Sequence, residues 1–250
     1  MSTIKEARAL PYEALVEANS KLVALSRYGL FTFAPAVDGS FVPALPGQLL
    51  LQGQFDKQVK IMTGHNAHET LFFIDPNSTS DADFRTNLRA SLPAISDSII
   101  DHVSETLYPP PSNITAAIGY TTAAGRNELS SSEVSFTCNT NYLARAFSAI
   151  HSRTFAYQFS IPPAYHGQDV PYIYYNGPSD LVANESIAHA LQAYYTEFAI
   201  TGEPNRAGLP EFLPYDAERQ ILNLNVTGIG MMKDPTENSR CHWWQLALYF

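Results

Sequence analysis

The chain has 250 residues, 45% hydrophobic and 16% charged, a balance that excludes a disordered protein and allows one large domain or two modest ones. Fifteen Lys and Arg against 24 Asp and Glu give a net charge of −9. No basic run occurs, which argues against nucleic acid or an anionic membrane as a partner. No apolar run reaches the roughly 18 residues of a membrane span, and Met1-Ser-Thr-Ile-Lys-Glu-Ala-Arg has no apolar signal-peptide core.

The first strand signal is the short β-branched run Val59-Lys60-Ile61-Met62-Thr63, ending at Gly64. Ile95, Ile99, Ile100, Val103 and Leu107 recur at helix spacing, and Pro109-Pro110-Pro111 stops that helix. A second helix is predicted over Ser131 to Ile150. Thr154 to Phe159 reads as a strand with Phe155, Tyr157 and Phe159 on one face. The clearest helix runs from Ser186 to Ala199, its stripe formed by Ile187, Ala190, Leu191, Tyr194, Tyr195 and Phe198, with Gly202 and Pro204 as the stop. Gln220 to Val226 alternates as a third strand, and a last helix runs from Pro235 into Trp243-Trp244. Strands separated by long helical stretches predict an α/β sheet covered by helices. Three strands are few for a stand-alone sheet in a chain of this length.

Two segments carry candidate chemistry. Gly64-His65-Asn66-Ala67-His68-Glu69-Thr70 follows the first strand, and a carboxylate past the C-terminal end of a strand lies where open α/β sheets build their sites. The same residues fit a helix start with Asn66 as N-cap and Glu69 at N3, and local pattern alone favours that cap. His65 and His68 match neither zinc-protease spacing and leave a metal without a third ligand. The second segment is Tyr165-His166-Gly167-Gln168-Asp169-Val170-Pro171-Tyr172, a Gly- and Pro-bounded loop that could hold His166 as a general base. Taken alone, an isolated loop histidine is more often an ordinary polar residue. Acid then histidine is the chain order of α/β hydrolases, but the Gly-x-Ser-x-Gly elbow that should precede them is absent. Gly39-Ser40 lacks the second glycine, Ser26 and Ser179 lack any elbow, and both cysteines lie downstream of Glu69 in helical patterns.

Cys138 and Cys241 are an even count compatible with one disulfide, and sequons stand at Asn77, Asn113, Asn184 and Asn225. Together they favour a secreted protein lacking its natural N-terminus over a cytosolic chain with accidental sequons.

Five separated segments carry a resemblance: Phe33-Ala-Pro-Ala-Val-Asp-Gly-Ser-Phe-Val-Pro, Gly64-His-Asn-Ala-His-Glu-Thr, His166-Gly-Gln-Asp-Val-Pro-Tyr, Phe198-Ala-Ile-Thr-Gly-Glu-Pro-Asn and Arg240-Cys-His-Trp-Trp. In this order they resemble type-B carboxylesterase/lipase proteins, a family that includes fungal carboxylesterases, lipases and cholinesterases. The resemblance implies the C-terminal part of an α/β-hydrolase fold, a partial central sheet flanked by helices. It makes residues 1–250 the C-terminal portion of a single domain whose serine-bearing half precedes Met1. It puts the triad acid on Glu69, the base on His166, and pairs Cys138 with Cys241 in a disulfide that argues for an oxidising compartment. One departure stands out: His68-Glu69-Thr70 replaces the Asp-Glu-Gly common in the family, which bears on the turn geometry around the acid.

The implied chemistry is ester hydrolysis through an acyl-enzyme, on a small-molecule or lipid ester, with neither cofactor nor metal. Without the serine and the oxyanion donors, this chain alone is expected to be inactive. A sheet cut mid-way exposes an edge and an apolar face, so the isolated chain is expected to be unstable, aggregated or paired. Three readings stay open: half of an esterase, a non-catalytic binding or regulatory paralogue, or one partner of a complemented heterodimer. Tyr and Phe, at 14 each, fit an apolar gorge and ordinary core packing equally well.

Overall fold

A computed structural model of the protein describes residues 3–30, 32–150 and 153–249. They divide into two compact units, residues 1–43 and 44–250. The first holds α1 (Ile4–Arg8) and α2 (Tyr12–Ala24). Thr3 and Glu6 form a reciprocal capping box at the start of α1. An aspartate turn follows later, in which Asp38 Oδ1 accepts the Ser40 and Val42 N–H groups at 2.9 Å each while Gly39 takes a positive φ. Those two amides hold the Asp38 carboxyl below its usual range. None of the described residues of this unit is buried within the chain; Ile4, Tyr12, Leu25 and Phe41 are largely exposed.

The second unit begins with α3 (Pro46–Leu51) and β1 (Met62–Asn66), then α4 (Asp81–Ser91) and α5 (Asp97–His102), which runs into a π-helical turn at Val103–Leu107. A 3-10 turn at Thr115–Ile118 leads to α6 (Ala123–Ser132), a second π-helical turn at Glu133–Thr137 and α7 (Cys138–Ser148). The remainder is β2 (Phe155–Phe159), α8 (Val170–Ile173), α9 (Glu185–Thr201), β3 (Gln220–Asn225), β4 (Gly228–Lys233) and α10 (Ser239–Gln245).

The sheet order is β1-β2-β3-β4, parallel except for the antiparallel β3–β4 hairpin. Helices on both faces bury the central strands β2 and β3, as parallel sheets require. On one face Phe155, Tyr157 and Phe159 of β2 join Leu222 and Leu224 of β3 against Ile187, Leu191 and Tyr194 of α9. On the other, Ala144 of α7 meets Ala156, Tyr215 and Ile221. A separate helical core gathers Phe84, Tyr108, Tyr142 and Trp244 around the Cys138–Cys241 disulfide. That bridge closes a separation of 103 residues, worth roughly 4–5 kcal/mol in the chain-entropy account. Glu133 reinforces it: the carboxylate accepts two hydrogen bonds from Arg240, at 2.6 and 2.7 Å, and one from Asn238 at 3.1 Å.

Several predicted boundaries move. The helix predicted from Ser131 starts eight residues earlier, at Ala123, and contains a π-helical turn. The last helix starts at Ser239, where Asn238 caps it through the Cys241 N–H. The first strand lies three residues later than Val59–Thr63 and runs through Gly64 to Asn66. Gly64 continues the strand because Tyr157, its partner in register, lies over it; a Cβ there would fall 2.2 Å from the Tyr157 ring. Asn66 is therefore the last residue of β1 and not a helix N-cap, since turns at residues 67 and 69–73, with a bridge at His68, follow it in place of a helix.

Candidate active site

Parallel pairing of β1 with β2 brings their C-terminal ends level, with Asn66 opposite Phe159. The chain leaving each strand stays registered for one step more. Ala67 N–H donates to Phe159 O at 2.9 Å, His68 N–H to Ala164 O at 3.0 Å, and His68 bridges Tyr165. Glu69 and His166 are the next residues on the two chains. His166 Nδ1 lies 2.6 Å from Glu69 Oε2. The other carboxylate oxygen, Oε1, accepts the Asn66 N–H at 2.7 Å. That hydrogen bond is the half of the expected capping arrangement that survives, now in a turn with no helix behind it.

Glu69 is 5% exposed, whereas the His166 side chain is 45% exposed. The carboxylate is thus shielded while the imidazole stays accessible. In a neutral imidazole, a proton on Nδ1 donates to Glu69 and leaves Nε2 with a free lone pair. Phe136 and Phe73 flank the imidazole, with centroids 4.7 and 5.6 Å away. A cavity of about 420 Å³ reaches from β1 to His166, lined by Gly64, Asn66, Phe136, Leu143 and Val170. A second, of about 470 Å³, opens on the other side of His166 between Phe72, Tyr165, Pro171 and Leu181. Both volumes suit small ligands.

Beneath the pair runs a polar chain that sequence reasoning missed. Asn66 Nδ2 donates to Asp169 Oδ1 and Tyr157 Oη to Asp169 Oδ2, both at 3.2 Å; Tyr157 Oη lies 2.7 Å from Tyr195 Oη. Asp169 falls inside the Tyr165–Tyr172 segment, three residues past His166, which was the available signal. Burial pushes the Tyr157 hydroxyl far up, so it acts as a donor. His65 and His68 do not share a ligand. His65 is buried in β1, with Nε2 3.2 Å from Gln158 Oε1, and burial pushes its imidazole below its ordinary value. His68 lies 3.6 Å from Glu128 Oε1, and that side chain pushes its imidazole up. Among the described residues no group of three or more His, Cys, Asp or Glu side chains is placed to hold a metal.

Asn77 and Asn113 are exposed; Asn184 caps α9 through the Ser186 N–H, and Asn225 ends β3 half-buried. Among the described residues no helix is long and apolar enough to cross a membrane.

With the geometry in place, comparison with known proteins decides the kinship. The model of the carboxylesterase family matches residues 2–244. The chain belongs to the carboxylesterase family. Carboxylesterase patB of Penicillium expansum is 37% identical over 246 residues, and that of Aspergillus clavatus 35%. Each match covers 98% of this chain but only 43% of the relative, so the chain spans less than half their length. A protein of Byssochlamys spectabilis described as "Inactive carboxylesterase-like protein VdtD" is 29% identical over 109 residues, 43% of this chain and 19% of that one. The crystal structure of Aspergillus niger EstA superposes with a TM-score of 0.73 at 21% identity, over 88% of this chain and 45% of that one. At that identity the likeness speaks for the α/β-hydrolase fold alone.

Proposed function

We propose that this chain is the C-terminal, proton-handling part of a carboxylic ester hydrolase, with Glu69 as triad acid and His166 as general base. What carries the reading is the 2.6 Å contact between His166 Nδ1 and a buried carboxylate whose other oxygen is held by a backbone amide. In the complete site a serine attacks the ester carbonyl. His166 Nε2 takes the serine proton and returns it to the leaving alcohol, and Glu69 fixes the tautomer and stabilises the imidazolium. The serine and the oxyanion donors come from a second half, in the same natural polypeptide or in a separate one. In support, the chain contains no serine elbow. The described hydroxyls lining the first cavity, those of Ser135 and Thr140, make no hydrogen bond with His166. The substrate is a small-molecule or lipid ester. The Cys138–Cys241 bridge and the four sequons support a secreted, glycosylated parent protein.

The likeness to an inactive carboxylesterase-like protein favours a second reading, a non-catalytic paralogue. One assay separates the two. Turnover of p-nitrophenyl acetate by the chain alone should equal that of His166→Ala and Ser135→Ala. Adding a serine-bearing half of a relative should produce turnover that His166→Ala abolishes. No gain on completion would leave the paralogue reading, and His166-dependent turnover by the chain alone would overturn the split-site reading.

A further inference from the structure

The reading of Glu69 as triad acid raises a question of restraint. The acid loop is pinned one residue upstream, where the His68 N–H is bonded to Ala164 O. A carboxylate on a turn also needs a hold downstream, because backbone rotation past residue 69 would carry the side chain off the imidazole. Thr70 supplies it. Its N–H donates to Ser132 Oγ at 3.1 Å and its hydroxyl to Glu128 O at 2.9 Å. Ser132 Oγ in turn donates to Glu128 Oε1 at 2.9 Å. Thr70, Glu128 and Ser132 are all buried. Thr70 is also the residue that departs from the Asp-Glu-Gly pattern, and His68, the other departure, is the one beside Glu128.

The second end of this contact is specific too. Ser132 is the last residue of α6, and the π-helical turn at Glu133–Thr137 follows it at once. That turn carries Phe136, 4.7 Å from the His166 ring. One irregular helical segment thus touches the acid loop through Ser132 and the base through Phe136. π-helical turns of this sort recur at functional sites.

We propose that Thr70 and Ser132, backed by Glu128, are positioning residues that clamp the Glu69 loop to α6 and keep the carboxylate on His166. This rests on the assignment of Glu69 and His166 made above. Ser132→Ala removes the acceptor of the Thr70 N–H, Thr70→Val removes the hydroxyl at nearly constant shape, and Thr70→Ser restores it.

The test uses the full chain with ¹⁵N-labelled histidine. The first readout is the low-field Nδ1–H proton resonance of His166; the second is amide exchange in residues 66–74 by mass spectrometry. Glu69→Gln identifies the resonance by abolishing it. Ser132→Ala and Thr70→Val are expected to weaken or abolish it and to speed exchange in the loop at least tenfold, with Thr70→Ser near the parent. Tyr194→Phe, which cuts a hydrogen bond to Pro210 O in the other core, controls for general loosening and should leave the resonance intact. If Ser132→Ala and Thr70→Val keep the resonance while lowering the melting temperature, the clamp is structural only and the proposal fails. If the parent shows no Glu69-dependent resonance, the acid–base pairing itself fails and the clamp falls with it.

Discussion

The two edges of the sheet are built differently. β4 presents Gly228, Gly230 and Lys233 to solvent, alternating with half-buried Ile229, Met231 and Met232. Glycines and an outward lysine are what a strand carries when it must face water without recruiting a neighbour. β1 carries no such protection. It is parallel, pairs only with β2 among the described strands, and ends in His65 and Asn66, both buried. His65 Nδ1 and Asn66 Oδ1 have no hydrogen-bond partner, an expensive state for buried polar atoms. Because Ala67 N–H addresses β2, the N–H groups of Met62, Gly64 and Asn66 alternate to the open side. Glu69 takes the last of these. One edge is finished, and the other has the character of an interior strand. On the function proposed above, β1 is where the serine-bearing half joins.

The sharpest way to break this comparison is to add one methyl group to each edge. Gly64→Ala puts its Cβ 2.2 Å from the Tyr157 ring, which cannot swing aside without losing its bonds to Asp169 and Tyr195. A loss of about 3 kcal/mol is expected. Gly230→Ala meets nothing within 4 Å and should change stability by less than about 0.5 kcal/mol. Urea midpoints at a common m-value measure both. Equal effects would mean that β1 is no more constrained than β4.

The next effect is in pH. Burial holds His65 below its ordinary 6.5, so the folded chain prefers the imidazole neutral. The unfolded chain then binds more protons, and stability is full above that ordinary value and lost as pH falls through the lower, folded one. His68 works the other way: its value is raised by Glu128, so its contribution is full at low pH and lost as pH rises. In a His68→Gln background the urea midpoint should therefore decline steadily from pH 7 toward about 5. Adding His65→Gln should flatten the curve. A flat curve with His65 present would show that β1 is wetter than its burial implies.

The same contrast explains what could be read from the residues. β2, β3 and α9 were legible because their apolar spacing is set by the core: Phe155, Tyr157 and Phe159 do share a face, and Gly202 ends α9 with a positive φ of 77°. β4 was not legible, because Gly-Ile-Gly-Met-Met-Lys has no strong alternation and the Val226-Thr227 turn lacks the usual hairpin glycine. β1 was misplaced because a glycine reads as a stop unless the ring that covers it is known. Glu69 and His166 are 97 residues apart, and resemblance, not local pattern, linked them. Their supports, Asn66, Thr70, Ser132 and Asp169, are ordinary polar residues that only the fold brings together.

The smallest effect tests the finished edge. Lys233 Nζ donates to Glu218 O at 2.6 Å and lies 3.4 Å from Glu218 Oε2, with both side chains 71% exposed. An ion pair that open to solvent is worth less than about 1 kcal/mol, so Lys233→Ala should barely move the urea midpoint. Its work on this view is to deny the β4 edge to another strand, which is a matter of association and not of folding. Sedimentation velocity should then show more self-association for Lys233→Ala than for the parent chain, while Lys233→Arg stays like the parent. If the two variants sediment alike, the charge does not guard β4, and what separates the edges is the glycines and the buried polar end of β1 alone.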